Sequence, residues 1–126
     1  MSTGPIAYAR ADLATALSQA TSLPVHASVP ERLDPPCVVI TEGTPLLEPA
    51  TDHGHRAVTV RLVANIVEAP TDAALALTRL DQHVDQTVTG LWNEYMATVD
   101  AYTTVTGADG QRYLAATVNT TTTLIL

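Results

Sequence analysis

Phenylalanine and lysine are both missing from this chain of 126 residues, and aromatic side chains make up 4% of it. An aromatic side chain buries roughly 150–250 Å². A domain built mainly on Val, Leu and Ala therefore hides little apolar area by itself, which favours association with further copies. All six basic residues are Arg and stand against thirteen Asp and Glu, for a formal net charge of −7. Sequence-independent DNA affinity comes mainly from Lys and Arg displacing counterions, so this charge argues against a protein that grips nucleic acid, though it could line a path along which DNA slides. The single cysteine, Cys37, excludes an internal disulfide. Arg10 and Asp12 fall where a secretory signal needs an unbroken apolar core. No apolar run reaches the length of a membrane span, so the chain reads as a soluble protein of a reducing compartment. Its length suits a single domain, 1–126.

What is present is a sequence of local patterns. Gly4-Pro5 opens a helix, and Ile6, Ala9, Leu13, Ala16, Leu17 and Ala20 recur on one face of it up to about Thr21. Leu23-Pro24 breaks that helix, and Val25, Ala27 and Val29 alternate with His26 and Ser28 in a short extended segment. Pro30, Pro35 and Pro36 then confine a turn. Residues 37–41 are a continuous apolar run of strand length, suited to cover on both faces. Residues 43–56 carry Pro45, Pro49, Asp52 and Gly54 without apolar periodicity, and read as a loop or arm, mobile in the free subunit. Leu46 and Leu47 are the apolar anchors by which such an arm could lie across a neighbour.

Alternation returns over residues 57–67. Val58, Val60, Leu62, Ala64 and Ile66 fall on one face, and Thr59, Arg61, Val63, Asn65 and Val67 on the other. That second face is half apolar, so Arg61, Val63, Asn65 and Val67 are candidate contacts with a neighbouring subunit. Pro70-Thr71-Asp72 begins a second helix with Thr71 as its expected cap. Leu77, Leu80, Val84, Val88 and Leu91 give it a buried stripe, and Gly90 suits its closing turn. Residues 98–106 and 111–126 form a Thr-rich hairpin around Gly107-Ala108-Asp109-Gly110, where Asp-Gly supplies the positive-φ turn. The fold class that follows is α+β: a mixed or antiparallel sheet packed by two helices, in the order helix, strands, long strand, helix, hairpin.

The run Val29-Pro30-Glu31-Arg32-Leu33-Asp34-Pro35-Pro36-Cys37-Val38-Val39-Ile40 feeds a proline-braced connector into an apolar strand. The Gly43-Thr44-Pro45 turn, the long alternating strand, the second helix and the Thr-rich last strand follow it. Over residues 8–126 this resembles the tail terminator proteins of long-tailed (siphovirus) phages infecting actinobacteria. The resemblance implies the lambda-type tail terminator fold, a sheet packed on one side by helices, and six copies in a ring at the head-proximal end of the tail. It further implies contacts with the tail tube protein and with a head-to-tail neck or stopper protein, DNA passing through the lumen without specific binding, and no cofactor. The location implied is the virion, reached from the host cytoplasm during assembly.

Residues with possible chemistry do not combine into a site. Asp52-His53-Gly54-His55 offers two imidazoles near one carboxylate, but a zinc centre needs further ligands in fixed geometry, and no Cys or carboxylate set has that spacing. A solvated loop is the simpler reading. Asp81 and Asp85 share a helix face, where like charges at this spacing cost a few tenths of a kcal/mol; His83, two positions from each, is rotated about 160° away from both. Ser2, Ser18, Ser22 and Ser28 lack a nucleophile elbow, and no phosphate-cradling glycine motif is present. Cys37 reads as a small buried hydrophobe with a raised thiol pKa. Tyr8, Trp92, Tyr95, Tyr102 and Tyr113 are scattered, and Trp92 and Tyr95 are candidate packing or interface anchors.

Two classes of function follow. One is a structural, non-enzymatic assembly subunit: a terminator ring or, nearby, a neck or head-to-tail adaptor. The other is a small ligand-binding or enzymatic α+β domain with a pocket between helix and sheet. The mass of the free and assembled protein discriminates them.

Overall fold

The computed structural model describes residues 4–69 and 72–126. Gly4 is the extended N-cap of α1 (Pro5–Ala20), and Pro5 occupies its first turn, where the missing N–H would have had no helical partner anyway. Ala9, Leu13 and Leu17 are its buried stripe. Thr21 stops the helix, its amide and its hydroxyl both donating to Leu17 O at 2.9 and 3.0 Å. β1 (Val25–His26) runs parallel to the start of β2 (Cys37–Asp52), and Val29 beyond β1 is exposed. β2 pairs antiparallel with β3 (His55–Val67), which leads to α2 (Ala73–Leu91) and then β4 (Met96–Val99), β5 (Thr103–Thr106) and β6 (Arg112–Ile125). Six strands of the described residues make one mixed sheet in the order β1-β2-β3-β6-β4, with β5 also on β6. The α+β class and the element order thus agree with the sequence reading.

Both helices cover one sheet face. Leu13 and Leu17 of α1 and Leu80, Val84 and Leu91 of α2 meet Val38, Ile40, Val60, Leu62, Ala64, Ile66, Ala116 and Val118 in the main core. Burying each leucine contributes roughly 1.5–3 kcal/mol, so the alternation of β3 and the helical stripes are what fix this packing. A smaller cluster of Cys37, Val39, Val67, Tyr113 and Ala115 lies on the opposite face, covered by Leu33 from the proline-rich connector and by Val105. Residues 37–40 are therefore buried on both faces, as their unbroken apolar run requires.

Four expectations change. Residues 43–56 are not an irregular arm: β2 continues to Asp52, and residues 47–52 pair with 55–60 of β3 after a register shift between Glu42 and Leu47. Asp52-His53-Gly54-His55 is the tight turn of this hairpin, with φ of 49° at His53 and 81° at Gly54, the positive pair that a two-residue hairpin turn demands. Thr71 and Pro70 lie outside the described residues; the α2 cap is Asp72, whose Oδ1 accepts from Leu75 N–H at 3.0 Å. On α2 the buried stripe is Ala76, Leu80, Val84, Thr87 and Leu91, while Leu77 is 46% exposed. Gly90 serves a helix contact, since a Cβ there would lie 2.4 Å from Ala20 Cβ.

The expected last hairpin is present, closed around Gly107-Ala108-Asp109-Gly110 with Gly110 at φ 81°. Its first strand, however, is split into β4 and β5. Three residues between Val99 and Thr103 oppose two between Val118 and Ala115, so the ladder slips by one residue through the break at 100–102. No helix of the described residues is long and apolar enough to cross a membrane.

Candidate functional site

The second face of the sheet, opposite the helices, is closed at one end and open at the other. At the closed end Val67 is buried beside Cys37 and Tyr113. It belongs to the subunit's own second cluster, which removes it from the candidate interface. Toward the open end Arg61, Val63 and Asn65 are half-buried in the isolated chain, flanked by Thr41 of β2 and by Thr117, Asn119 and Thr121 of β6. Asn65 folds back onto its own sheet, donating to Val39 O and to Thr41 Oγ1, both at 3.0 Å.

Arg61 sits where β2 slips register. A Cβ on Gly43 would lie 2.7 Å from Arg61 Cβ and 2.9 Å from Arg61 O, so only glycine lets β2 pass this close. The guanidinium donates through Nη2 to Glu48 Oε1 at 2.8 Å, while Nη1 is shut off from solvent and meets no acceptor among the described residues. Beside it lies a cavity of about 250 Å³ lined by Gly43, Thr44, Arg61, Val63, Asn119 and Thr121 among others.

The arm anchors separate. Leu46, half-buried, packs against the main core, and Leu47 is 40% exposed. Trp92 and Met96, at the end of α2 and the start of β4, are 75% and 77% exposed, and Val99 is exposed as well. Of the two candidate packing or interface anchors, Tyr95 is the packing one: it is buried in the core, its hydroxyl donating to Asp12 of α1. Burial first, and then that bond, push its phenol pKa far up.

The groups considered for chemistry remain apart. His53 Nδ1 meets Asp52 Oδ1 at 2.7 Å on the exposed hairpin turn, and no three His, Cys, Asp or Glu of the described residues gather as metal ligands. Asp81 and Asp85 lie on the exposed face of α2, where Asp81 Oδ1 accepts from Tyr102 OH at 2.6 Å. Burial, followed by this bond, pushes Tyr102 up to about 12. Ser2 lies outside the described residues. Cys37 is fully buried, and burial raises its thiol pKa, as its place in an apolar strand implies.

One polar pair escaped the sequence reading. Glu68, 1% exposed at the end of β3, bonds to His83 Nδ1 at 2.8 Å and ties the sheet to α2, while Thr87 below it donates to His83 O at 2.8 Å. The available signal was an acidic residue directly after an apolar strand; nothing in a separation of 15 positions points to its partner. No family model matches the chain, and no curated protein matches it.

Proposed function

We propose that this chain is a ring-forming structural subunit, the terminator of a phage tail, which caps the head-proximal end of the tail tube and joins it to the neck. The observation that supports this reading best is the half-covered sheet. Its second face is sealed only near Val67, and Arg61, Val63 and Asn65 are left half-buried in the isolated chain. A domain with few aromatics gains stability when a partner covers such a surface. The likeness of residues 8–126 to tail terminators supplies the kind of assembly.

The mechanism is geometric. In a closed ring each subunit uses one side for the preceding copy and the other for the next, so the contacts use one another up and growth stops. One rim then meets the tube subunit and the other the neck protein. The net charge of −7 per copy keeps passing DNA from adhering. The experiment is to add the protein to elongating tube subunits from the same particle and to image the tubes. The expected result is short tubes capped at one end, with loss of capping for Val63→Glu while the isolated variant keeps its melting temperature. Tubes of unaltered length with wild-type protein present would refute the role.

A further inference from the structure

The sheet ends in two unlike edges, and their backbone groups are free in different ways. β1 covers only Val38 and Val39 of β2, so the outer side of β2 beyond that point has no paired strand among the described residues. Backbone groups alternate sides along a strand. Val38 N–H donates to Pro24 O on the outer side, which leaves Glu42 facing outward as well. Past the register shift, the Asp52–His55 turn pair places Leu47, Pro49 and Thr51 outward. Pro49 has no N–H to offer, and Pro45 stands in the irregular stretch before it. Proline on an edge shortens any ladder built on it: one β2 edge still offers Glu42, Leu47 and Thr51 to an unguarded strand, whereas two β2 edges would each bring the gap to the pairing.

The opposite edge has no such guard. Asp100 N–H donates to Thr117 O, so Thr98 and Met96 face β6, while the N–H and C=O of Ala97 and Val99 face out. Gly107 N–H donates to Gln111 O, which by the same alternation turns Thr104 and Thr106 outward. Residues 96–106 contain no proline, and exposed Trp92, Met96 and Val99 flank the edge. An unguarded edge of β-branched residues beside exposed apolar side chains is a template for another strand.

We infer that the joint between neighbouring copies is a strand addition, in which the β4 edge of one copy lies antiparallel to the outer edge of β2 in the next. Three features favour a second copy in this role. β2, β3, β6 and β4 alternate in direction across the sheet, so β4 followed by the next copy's β2 continues the alternation without a break. Each edge carries exposed apolar side chains, Trp92, Met96 and Val99 on one and Leu47 on the other, which cover one another when the edges meet. The prolines of β2 disfavour pairing of like edges, so the contact is head-to-tail, the kind that closes rings. The open face around Arg61 and Val63 is then left for the tube subunit or the neck protein to cover.

This inference rests on the ring reading. Its test is residue-resolved amide exchange on the wild-type protein in free and assembled forms, with Val99→Pro as a second arm. Exchange at Ala97 and Val99 is expected to slow by about tenfold or more on assembly. Val99→Pro removes an outward donor while the β6-facing amides stay in place; it is expected to keep the circular dichroism of the subunit and to lose assembly. Assembly with unchanged exchange at Ala97 and Val99 would overturn the strand joint and leave the ring standing. Wild-type protein that never assembles, even with tube subunits, would overturn both.

Discussion

Gly43 and Arg61 illustrate how one residue sets the route of a strand. The stem of Arg61 and its backbone carbonyl occupy the space a side chain at 43 would need. Because backbone as well as side chain is in the way, Gly43→Ala is expected to destabilise the subunit by about 1–3 kcal/mol, the range for overpacking a site that cannot give; denaturant unfolding checks it. Tyr102 has a consequence for pH. Burial and the bond to Asp81 hold its phenol at about 12, above the ordinary value near 10. A raised phenol pKa favours the neutral form in the folded state. Its contribution to stability is therefore complete below about pH 10 and is lost as pH rises through about 12. Tyr102→Phe is expected to lose less stability than wild type across that window, measured by urea unfolding at several pH values. An identical pH dependence would show that folding does not raise the pKa of this phenol.

At the scale of elements, α1 and α2 touch through Gly90 and Ala20, with no room for a methyl group between them. Gly90→Ala is expected to destabilise by about 1–3 kcal/mol despite the better helix propensity of alanine. Adding Ala20→Gly should recover part of that loss, because it frees the same volume; a double-mutant cycle by thermal melting measures the coupling. What was legible in the sequence follows the same physics. α1, β3 and the Asp109-Gly110 turn were readable because each is dictated locally, by a proline at a helix start, by strict alternation over a buried face, and by a residue that must take positive φ.

The distal half of β2 was unreadable because it is an edge. Burial does not enforce alternation there, prolines are tolerated, and the strand shifts register, so its pattern looks like a loop. The turn residues His53 and Gly54 were a signal for a hairpin, but without alternation on the β2 side they read as part of a solvated loop. Candidate contact residues fared according to how much depended on distant chain. Arg61, Val63 and Asn65 are half-buried on the second face, whereas Val67 is buried in the cluster that Leu33 covers, and Leu46 is half-buried against the core. Thr87 replaced Leu77 in the α2 stripe because its hydroxyl is satisfied by His83 O, so a polar residue could be buried there without penalty.

For the whole molecule, the proposed ring links charge to assembly. In such a ring six copies at −7 would carry about −42, a field that would repel phosphate across its lumen. The expected outcome is no measurable binding of duplex DNA near physiological salt in a filter or anisotropy assay. A micromolar affinity that falls with salt would require a basic surface that six arginines among thirteen acids do not provide.

The claim that the chain works as a closed ring is tested most directly by the native mass of the protein, alone and mixed with tube subunits. A single discrete species of six copies of the 13.3 kDa subunit is the result predicted for the free ring or for the ring assembled on tube subunits. A protein that stays monomeric in both conditions, or that grows into an open series of masses without a closed species, would contradict it.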